Sequence, residues 1–348
     1  MHRTEAEFFA AYSHIDPEEL QLASSLAASG LPPVTSREAI AVMTGLNPGF
    51  IEAMLKTRRK YYRKFTIKSG KKFRDIYAPR VGLKMIQSWL GHHFAKLDLP
   101  DHVHGFVPGR SHITAAQTHI GSDWAYAVDI ENFFSTTSRT QVKELLLELG
   151  YSEDPADLIA DLCTFEGTLP QGSPASPSLS NLVFRSIDEQ LLTLSLDLGC
   201  RVTRYADDIV FSGSGEMPPE LVERINGTFD SSQWTINEAK RRKHPFKGRI
   251  KIHGLLIKND HLRLTGGYRN QIRAYRYLWQ NGKVSGSDVA KIKGHLLYAR
   301  HVDSLYPSNG QFDWTNFPFD KLPRQSFVFH RDLKPSSIIE LIRGKLKR

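Results

Sequence analysis

Asp207 and Asp208 stand side by side in CRVTRYADDIVFSG, between two runs of β-forming residues. The runs read as short strands either side of a tight turn, and Tyr205, Ile209, Val210 and Phe211 draw that turn toward a core. Two like charges about 4 Å apart repel by about 1 kcal/mol in water and by about 4 kcal/mol at the effective dielectric of a partly buried site. An exposed acidic hairpin tip escapes the larger cost. A turn held against a core does not, and a divalent cation is its natural neutraliser. Hard carboxylate oxygens, one or two per ion, with water and substrate phosphate completing the shell, indicate Mg2+.

A third carboxylate strengthens this reading. In DWAYAVDIENFF, strand alternation puts Trp124, Tyr126, Val128 and Ile130 on one face and Ala125, Ala127 and Asp129 on the other. Asp129 therefore projects from a face whose neighbours are small, which leaves room for something to dock. Three carboxylates from two strands can hold two Mg2+ ions for an in-line displacement at phosphorus.

The 348 residues are 40% hydrophobic, enough to bury a core in one large or two to three smaller units. In IDPEELQLASSLAASGLPP, Asp16 is placed as a helix cap, Pro17 takes the first helical position, and Gly30 and Pro32 end the helix. Residues 1–55 thus read as a helical N-terminal extension. Next, YYRKFTIKSGKKFRDIYAP predicts a basic β-hairpin about the turn Ser69-Gly70. GLKMIQSWLGHHFAKL predicts a helix, and SRTQVKELLLELG another, with a Ser138/Gln141 capping box and Gly150 as its stop. TLPQGSPASPSLSN reads as a loop entering the single helix LVFRSIDEQLLTLSLDLG. A helix near 218–230, one short strand IKIHGLLI and a largely helical basic region from 261 to 348 complete the chain.

Charge is unevenly spread. Residues 240–348 hold 24 Lys and Arg against 7 Asp and Glu, a net of +17, which leaves −8 for residues 1–239 of a chain whose total is +9. Such a basic module suits a phosphate backbone, from which cationic side chains displace counterions. Tyr268, Tyr275, Tyr277, Trp279 and Tyr298 are interleaved with those charges and can pack on sugars or bases. The alternative is a basic solvated surface. Cys163 and Cys200 lie alone, so neither a disulfide framework nor a thiolate zinc site is expected. His92, His93, His102 and His104 lack a carboxylate or thiolate at ligand spacing and read as ordinary surface and core histidines. No apolar run approaches the roughly 20 residues of a membrane span, and MHRTEAEFFAAY lacks the pattern of a signal peptide. The expectation is a cytoplasmic protein with no membrane partner.

Taken in order, AVDIENFF, LPQGSPASPSLSNLVF and RYADDIVFS resemble motifs A, B and C of reverse transcriptases. Within that family the chain is most similar to bacterial retron-type enzymes, through HGFVPGRSHI upstream and IKGHLLYARHVD downstream. The resemblance covers about residues 55–305 and implies an α+β, right-hand polymerase. Residues 56–260 would form fingers and palm, the palm built on an antiparallel sheet, and 261–348 a helical thumb. It implies RNA-directed DNA synthesis from dNTPs with two Mg2+ ions. A structured non-coding RNA would be template and primer, with a 2′-OH start, and an RNA-linked DNA would be the product. An accessory effector protein in anti-phage defence is also implied.

Site roles follow from the same resemblance. Asp129 and Asp207 would be the main metal ligands, with Asp208 completing the triad and Ile130 counted among the metal-holding positions. Phe134 matches the bulky gate that disfavours a ribose 2′-OH; as residues alone it and Phe133 read equally as core. Gln171 and Gly172 match the loop that closes on the incoming nucleotide, or form a Pro-rich turn. Arg74 matches the fingers arginine that clasps the triphosphate, or is one of several hairpin cations. Lys240 matches the lysine proposed as general acid for pyrophosphate, or belongs to a solvated run with Arg241, Arg242 and Lys243. Two departures stand out: Ala115-Ala116-Gln117-Thr118-His119 where retron enzymes show Asn-Ala-x-x-His, and Ile252-His253-Gly254 where they show Val-Thr-Gly. Both bear on retron-specific RNA recognition. They leave the polymerase reading untouched but keep open an intron-, CRISPR- or defence-associated reverse transcriptase. A separate alternative, a nucleic-acid-binding protein whose polymerase site is unused, is opposed by the intact Asp129, Asp207 and Asp208.

One further stretch, His330-Arg331-Asp332-Leu333-Lys334-Pro335, resembles the catalytic loop of protein kinases. No GxGxxG precedes it, and only 11 residues follow Ser337, the position where that loop would need a metal-binding Asn. Kinase activity is therefore not expected, and His330, Arg331 and Lys334 read as part of the basic surface.

Overall fold

The structure is a computed structural model that describes residues 17–69, 72–230, 232–244, 250–309 and 311–320. The kinase-like stretch and the cap position Asp16 lie outside the described residues. Two compact units emerge, one from Met1–Ser111, Ala127–Phe211 and Pro218–Arg242, the other from His112–Tyr126, Ser212–Met217 and Lys243–Arg348.

The first unit opens with three helices whose ends are dictated locally. Helix α1 (Pro17–Ala28) starts on a proline and carries Glu18 and Glu19 in its first turn, where the helix dipole favours acids. In α2 (Arg37–Thr44) the Ser36 side chain accepts from the Ala39 amide, and Gly45 closes the helix in the left-handed conformation. In α3 (Pro48–Lys56) Asn47 accepts from the Gly49 amide. The expected hairpin follows as β1 (Tyr62–Ser69) and β2 (Lys72–Pro79), antiparallel from Tyr62 opposite Pro79 to Ser69 opposite Lys72. Ser69 is thus a strand residue and not part of the turn.

Helix α4 (Val81–Phe94) comes next in this unit. It packs Ile86, Leu90 and Phe94 into a core with Ile40, Ile51, Met54, Val142, Leu146, Ile159 and Leu179. Gln87 is buried among them, and its amide nitrogen donates to the Tyr62 hydroxyl (2.8 Å) and the Leu162 carbonyl (2.7 Å), which satisfies both of its N–H donors, while its Oε1 is buried without a partner.

In the second unit, α5 (His112–Thr118) leads into β3 (Trp124–Asp129), which runs on into the first unit. A single turn, α6 (Phe133–Thr136), then precedes α7 (Arg139–Glu148), whose Ser138/Gln141 capping box forms as expected. Helix α8 (Glu153–Cys163) has no counterpart among the expected elements. Its Pro155 sits in the first turn, where a proline is tolerated.

The expected loop through Asn181 is also corrected. Residues from Ser176 onward are helical, as α9 (Ser176–Val183), with Pro177 in the first turn, and α10 (Arg185–Asp197) follows across Phe184. The serines that suggested a loop turn their hydroxyls onto nearby carbonyls: Ser176 to Pro170 (2.9 Å), Ser178 to Ala175 (3.1 Å) and Ser180 to Pro177 (3.0 Å).

Strands β4 (Arg201–Tyr205) and β5 (Asp208–Gly213) flank the expected tight turn, and α11 (Leu221–Asp230) and β6 (Arg242–His244) complete the set. The sheet order is β4-β5-β3-β6.

The second unit contains a three-stranded antiparallel sheet of β7 (Lys251–Ile252), β8 (Leu255–Ile257) and β9 (Leu262–Leu264). IKIHGLLI is therefore a hairpin and not one strand. Its two turn residues, His253 (φ 46°) and Gly254 (φ 86°), both take the left-handed conformation that a two-residue hairpin loop needs. Helices α12 (Gly266–Gln280) and α13 (Val289–Ser304) carry the basic sequence, and Asp303 pins residues 311–314 by accepting from the Gln311 amide and the Trp314 indole. His119, in the segment that departs from the retron pattern, is fully buried and lies 2.6 Å from the Ser212 hydroxyl. No helix among the described residues is long and apolar enough to cross a membrane.

Candidate active site

The acidic residues are brought together by backbone pairing in the first unit. The Ile130 amide donates to the Asp207 carbonyl (2.8 Å), and the Asn237 amide donates to the Asp129 carbonyl (2.8 Å). Ile130 also bridges Ile236. The end of β3 is thus clamped between the Ala206-Asp207 turn and residues 235–237, which sets Asp207, in the turn that leads into β5, beside Asp129 at the end of the neighbouring strand β3. Asp208 is the first residue of β5. Ile130 is buried hydrocarbon, 1% exposed, so only its backbone oxygen can serve a metal.

Electrostatics at this point are those of a site that needs a cation. Burial raises the Asp207 carboxyl above the ordinary carboxylate range, Asp129 and Asp208 push it the same way, and Lys240 opposes them. The Lys240 ammonium sits 2.5 and 2.6 Å from the two carboxylate oxygens of Asp129. Among the described residues no group of three or more His, Cys, Asp or Glu side chains already stands at metal-ligand geometry. The donor set nevertheless fits a hard divalent ion: two carboxylates on adjacent strands, a third beside them and a backbone oxygen, with one carboxylate already facing a positive charge.

Gln171 and Gly172, expected in the loop that closes on a nucleotide, lie against the hairpin. The Gln171 carbonyl accepts from the Tyr77 amide of β2 (2.8 Å). Gly172, at φ 119°, lies so close to β2 that an added Cβ would stand 2.9 Å from Ile76 Cγ2 and 3.0 Å from the Tyr77 oxygen. Arg74 is exposed, opposite Ile67 and on the same face of β2 as Ile76. Phe134, in α6, is half-buried with its ring 5.9 Å from that of Phe106 and 5.6 Å from that of Phe133, whereas Phe133 is buried.

Several residues around the turn went unremarked in the sequence. Arg204 and Asp188 are fully buried and paired (2.6 Å), and Asn181 and Gly105 join them. A signal was present: Asp188 falls on the same helical face as Leu191 and Ser195, and Arg204 interrupts an otherwise β-forming, core-directed run.

Residues 66–255, more than half of the chain, match the family model described as "Reverse transcriptase (RNA-dependent DNA polymerase)". Among curated relatives, the retron Mx65 reverse transcriptase of Myxococcus xanthus is 29% identical over 312 residues, covering 82% of this chain and 72% of the relative. The retron Ec86 enzyme of Escherichia coli is 28% identical, covering 79% and 87% respectively. The retron Ec73 enzyme of the same species is 30% identical, covering 66% and 79%. The chain belongs to the retron-type reverse transcriptases.

As a retron-type reverse transcriptase it is an RNA-directed DNA polymerase, with the α+β architecture and antiparallel sheets of the right-hand polymerases. Enzymes of this family work on an RNA template with divalent metal ions and dNTPs. The departures at Ala115 and His253 therefore sit within a retron-type enzyme. Solved structures that resemble it include telomerase from Candida albicans in complex with a TWJ fragment of telomeric RNA (TM-score 0.46, 9% identity, 77% of this chain and 62% of that one). A foamy viral protease-reverse transcriptase in complex with double-stranded DNA is another (TM-score 0.40, 13% identity, 84% and 47%). The chain spans less than two thirds of either solved chain.

Proposed function

We propose that this enzyme copies a structured non-coding RNA that is both template and primer, beginning at a 2′-OH of that RNA and yielding a small RNA-linked single-stranded DNA. The retron relatives support this reading, and by the same likeness we assign it a cytoplasmic role in anti-phage defence beside an accessory effector protein. Fingers and palm fall in residues 56–260 and the thumb in 261–348, after an N-terminal extension of 1–55.

Asp129, Asp207 and Asp208, with the backbone oxygen of Ile130, would hold two Mg2+ ions. When bound, these supply charge neutralisation and a lowered pKa for the attacking hydroxyl. The chain's own groups do the rest. Phe134 blocks the place of a ribose 2′-OH. Gln171 and Gly172 bring backbone against the nucleotide, and Arg74 offers a forked donor to the triphosphate. Lys240 stands within reach of the site to protonate the departing pyrophosphate. The observation that carries the reading is the Lys240 ammonium seated on both oxygens of Asp129 beside the buried, charge-crowded Asp207. The test is to purify the protein from cells and sequence the nucleic acid bound to it. A discrete DNA covalently joined to one RNA supports the proposal, and heterogeneous RNA alone overturns it.

A further inference from the structure

Arg204 lies in β4, the strand that delivers the chain to the Ala206-Asp207 turn, and it is a charged residue with no exposed surface. Its Nε and Nη2 donate to the two carboxylate oxygens of Asp188 at 2.7 and 2.6 Å. The remaining nitrogen, Nη1, donates to Asn181 Oδ1 (2.9 Å) and to the Ala206 carbonyl (3.0 Å). The guanidinium carbon lies 4.8 Å from the ring centroid of Phe184 and 5.6 Å from that of Phe133.

A buried ion pair alone would be an ordinary structural feature, since a well-packed hydrocarbon of the same volume is often as stable. The third arm is what sets this one apart. Ala206 sits at φ 57°, a left-handed conformation that a residue with a side chain keeps only where its surroundings over-determine it. Two contacts do so. Arg204 holds its carbonyl, and Gly105 presses on its amide so closely that a Cβ at 105 would stand 2.2 Å from the Ala206 nitrogen. Asn181 ties the two together by donating to the Gly105 carbonyl (2.8 Å) while accepting from Arg204. The residue immediately after this clamped alanine is Asp207.

We propose that Arg204, oriented by Asp188 and bridged through Asn181 to Gly105, is a positioning residue that fixes the Ala206-Asp207 turn and so aims the Asp207 carboxylate. The proposal rests on the assignment of Asp207 as a metal-binding carboxylate. A lysine at 204 keeps the charge facing Asp188 but has no planar fork with which to hold Ala206 and Asn181 at the same time.

The test uses the full chain, a primed RNA template with dNTPs, and Mn2+ binding followed by electron paramagnetic resonance without nucleotide. Folded Arg204→Lys is expected to lose about 10- to 100-fold in kcat and to weaken Mn2+ binding by a similar factor, as loss of a ligand's supporting partner does, with KM for dNTP unchanged. Asn181→Ser leaves the Arg204–Asp188 pair whole and removes the bridge to Gly105. It should move both readouts in the same direction, and it decides the matter where Arg204→Lys does not fold. Wild-type kcat and Mn2+ affinity in the folded variants overturn the positioning role. Asp207→Asn is the control: if it stays active, the assignment of Asp207 fails, whereas an inactive Asp207→Asn beside fully active Arg204→Lys and Asn181→Ser overturns the positioning role alone.

Discussion

Lys240 and Asp129 are joined by two short contacts, 2.5 and 2.6 Å from one ammonium to both oxygens of one carboxylate, across 111 residues of sequence. A monovalent ammonium thus occupies the side of Asp129 that a divalent ion would need, and the two cations compete for it. Lys240→Met is expected to tighten Mn2+ binding by about fivefold, the equivalent of a partly buried ion pair worth about 1 kcal/mol. The same change should lower kcat by about 100-fold, the usual weight of a lost general acid. Electron paramagnetic resonance with Mn2+ and single-turnover incorporation measure the two separately. General damage to the site would weaken both, so opposite directions identify the competition.

Asp207 makes the metal-free protein sensitive to pH. Its carboxyl is held above the ordinary value of 3.8, first by burial and then by Asp129. The folded state therefore keeps a proton more tightly than the unfolded chain does, and stability falls as pH rises from 3.8 through the raised value. Above that window the ionised, crowded carboxylate is a standing cost. Asp207→Asn should raise the metal-free Tm at neutral pH, by about 2–4 °C for each kcal/mol relieved, and the gain should vanish in acid below the window. Added Mg2+ should raise the Tm of the wild type more than that of the variant. Thermal unfolding followed by circular dichroism at both pH values, with and without Mg2+, checks both statements.

What could be read from the sequence was what local pattern carries. The alternation around Asp129, the β-formers flanking Asp207-Asp208, and the Ser138/Gln141 box each place a side chain through neighbours a few residues away, and each forms as expected. Elements that depend on distant partners were not legible. Ser176, Ser178 and Ser180 look like loop residues until their hydroxyls find carbonyls within the helix and its approach. His253 gives no hint of a positive φ until β7 and β8 pair across it. The Asn181 to Gly105 bond spans 76 residues, and no pattern in either segment announces it. The acidic centre was therefore visible at once, while the buried frame that holds it was not.

Phe134 is expected to act on sugar selection. Its neighbours Phe106 and Phe133 hold the ring from two sides, so the side chain cannot easily swing away from a 2′-OH. Phe134→Ala opens that space. The preference for dNTP over rNTP, measured as the ratio of kcat/KM values, should fall by about 100-fold, the scale on which a hydrophobic wall discriminates small groups. Incorporation of dNTP should change far less. An unchanged ratio would leave Phe134 as a core residue only.

Gly172 is expected to be intolerant of a side chain for two independent reasons. Its φ of 119° is a region that residues with a Cβ rarely enter, and the space a Cβ would fill is already taken by Ile76 Cγ2 at 2.9 Å and the Tyr77 oxygen at 3.0 Å. The backbone strain alone costs about 1–3 kcal/mol. Relief comes only if the loop pulls back from β2, which breaks the 2.8 Å bond from the Tyr77 amide to the Gln171 carbonyl. The proposed nucleotide loop would then move while the acidic centre, on other strands, stays in place. Gly172→Ala should accordingly raise KM for dNTP by about tenfold, equivalent to about 1.4 kcal/mol, with Mn2+ binding unchanged. Weakened Mn2+ binding in this variant would show instead that the loop and the carboxylates are a single structural unit.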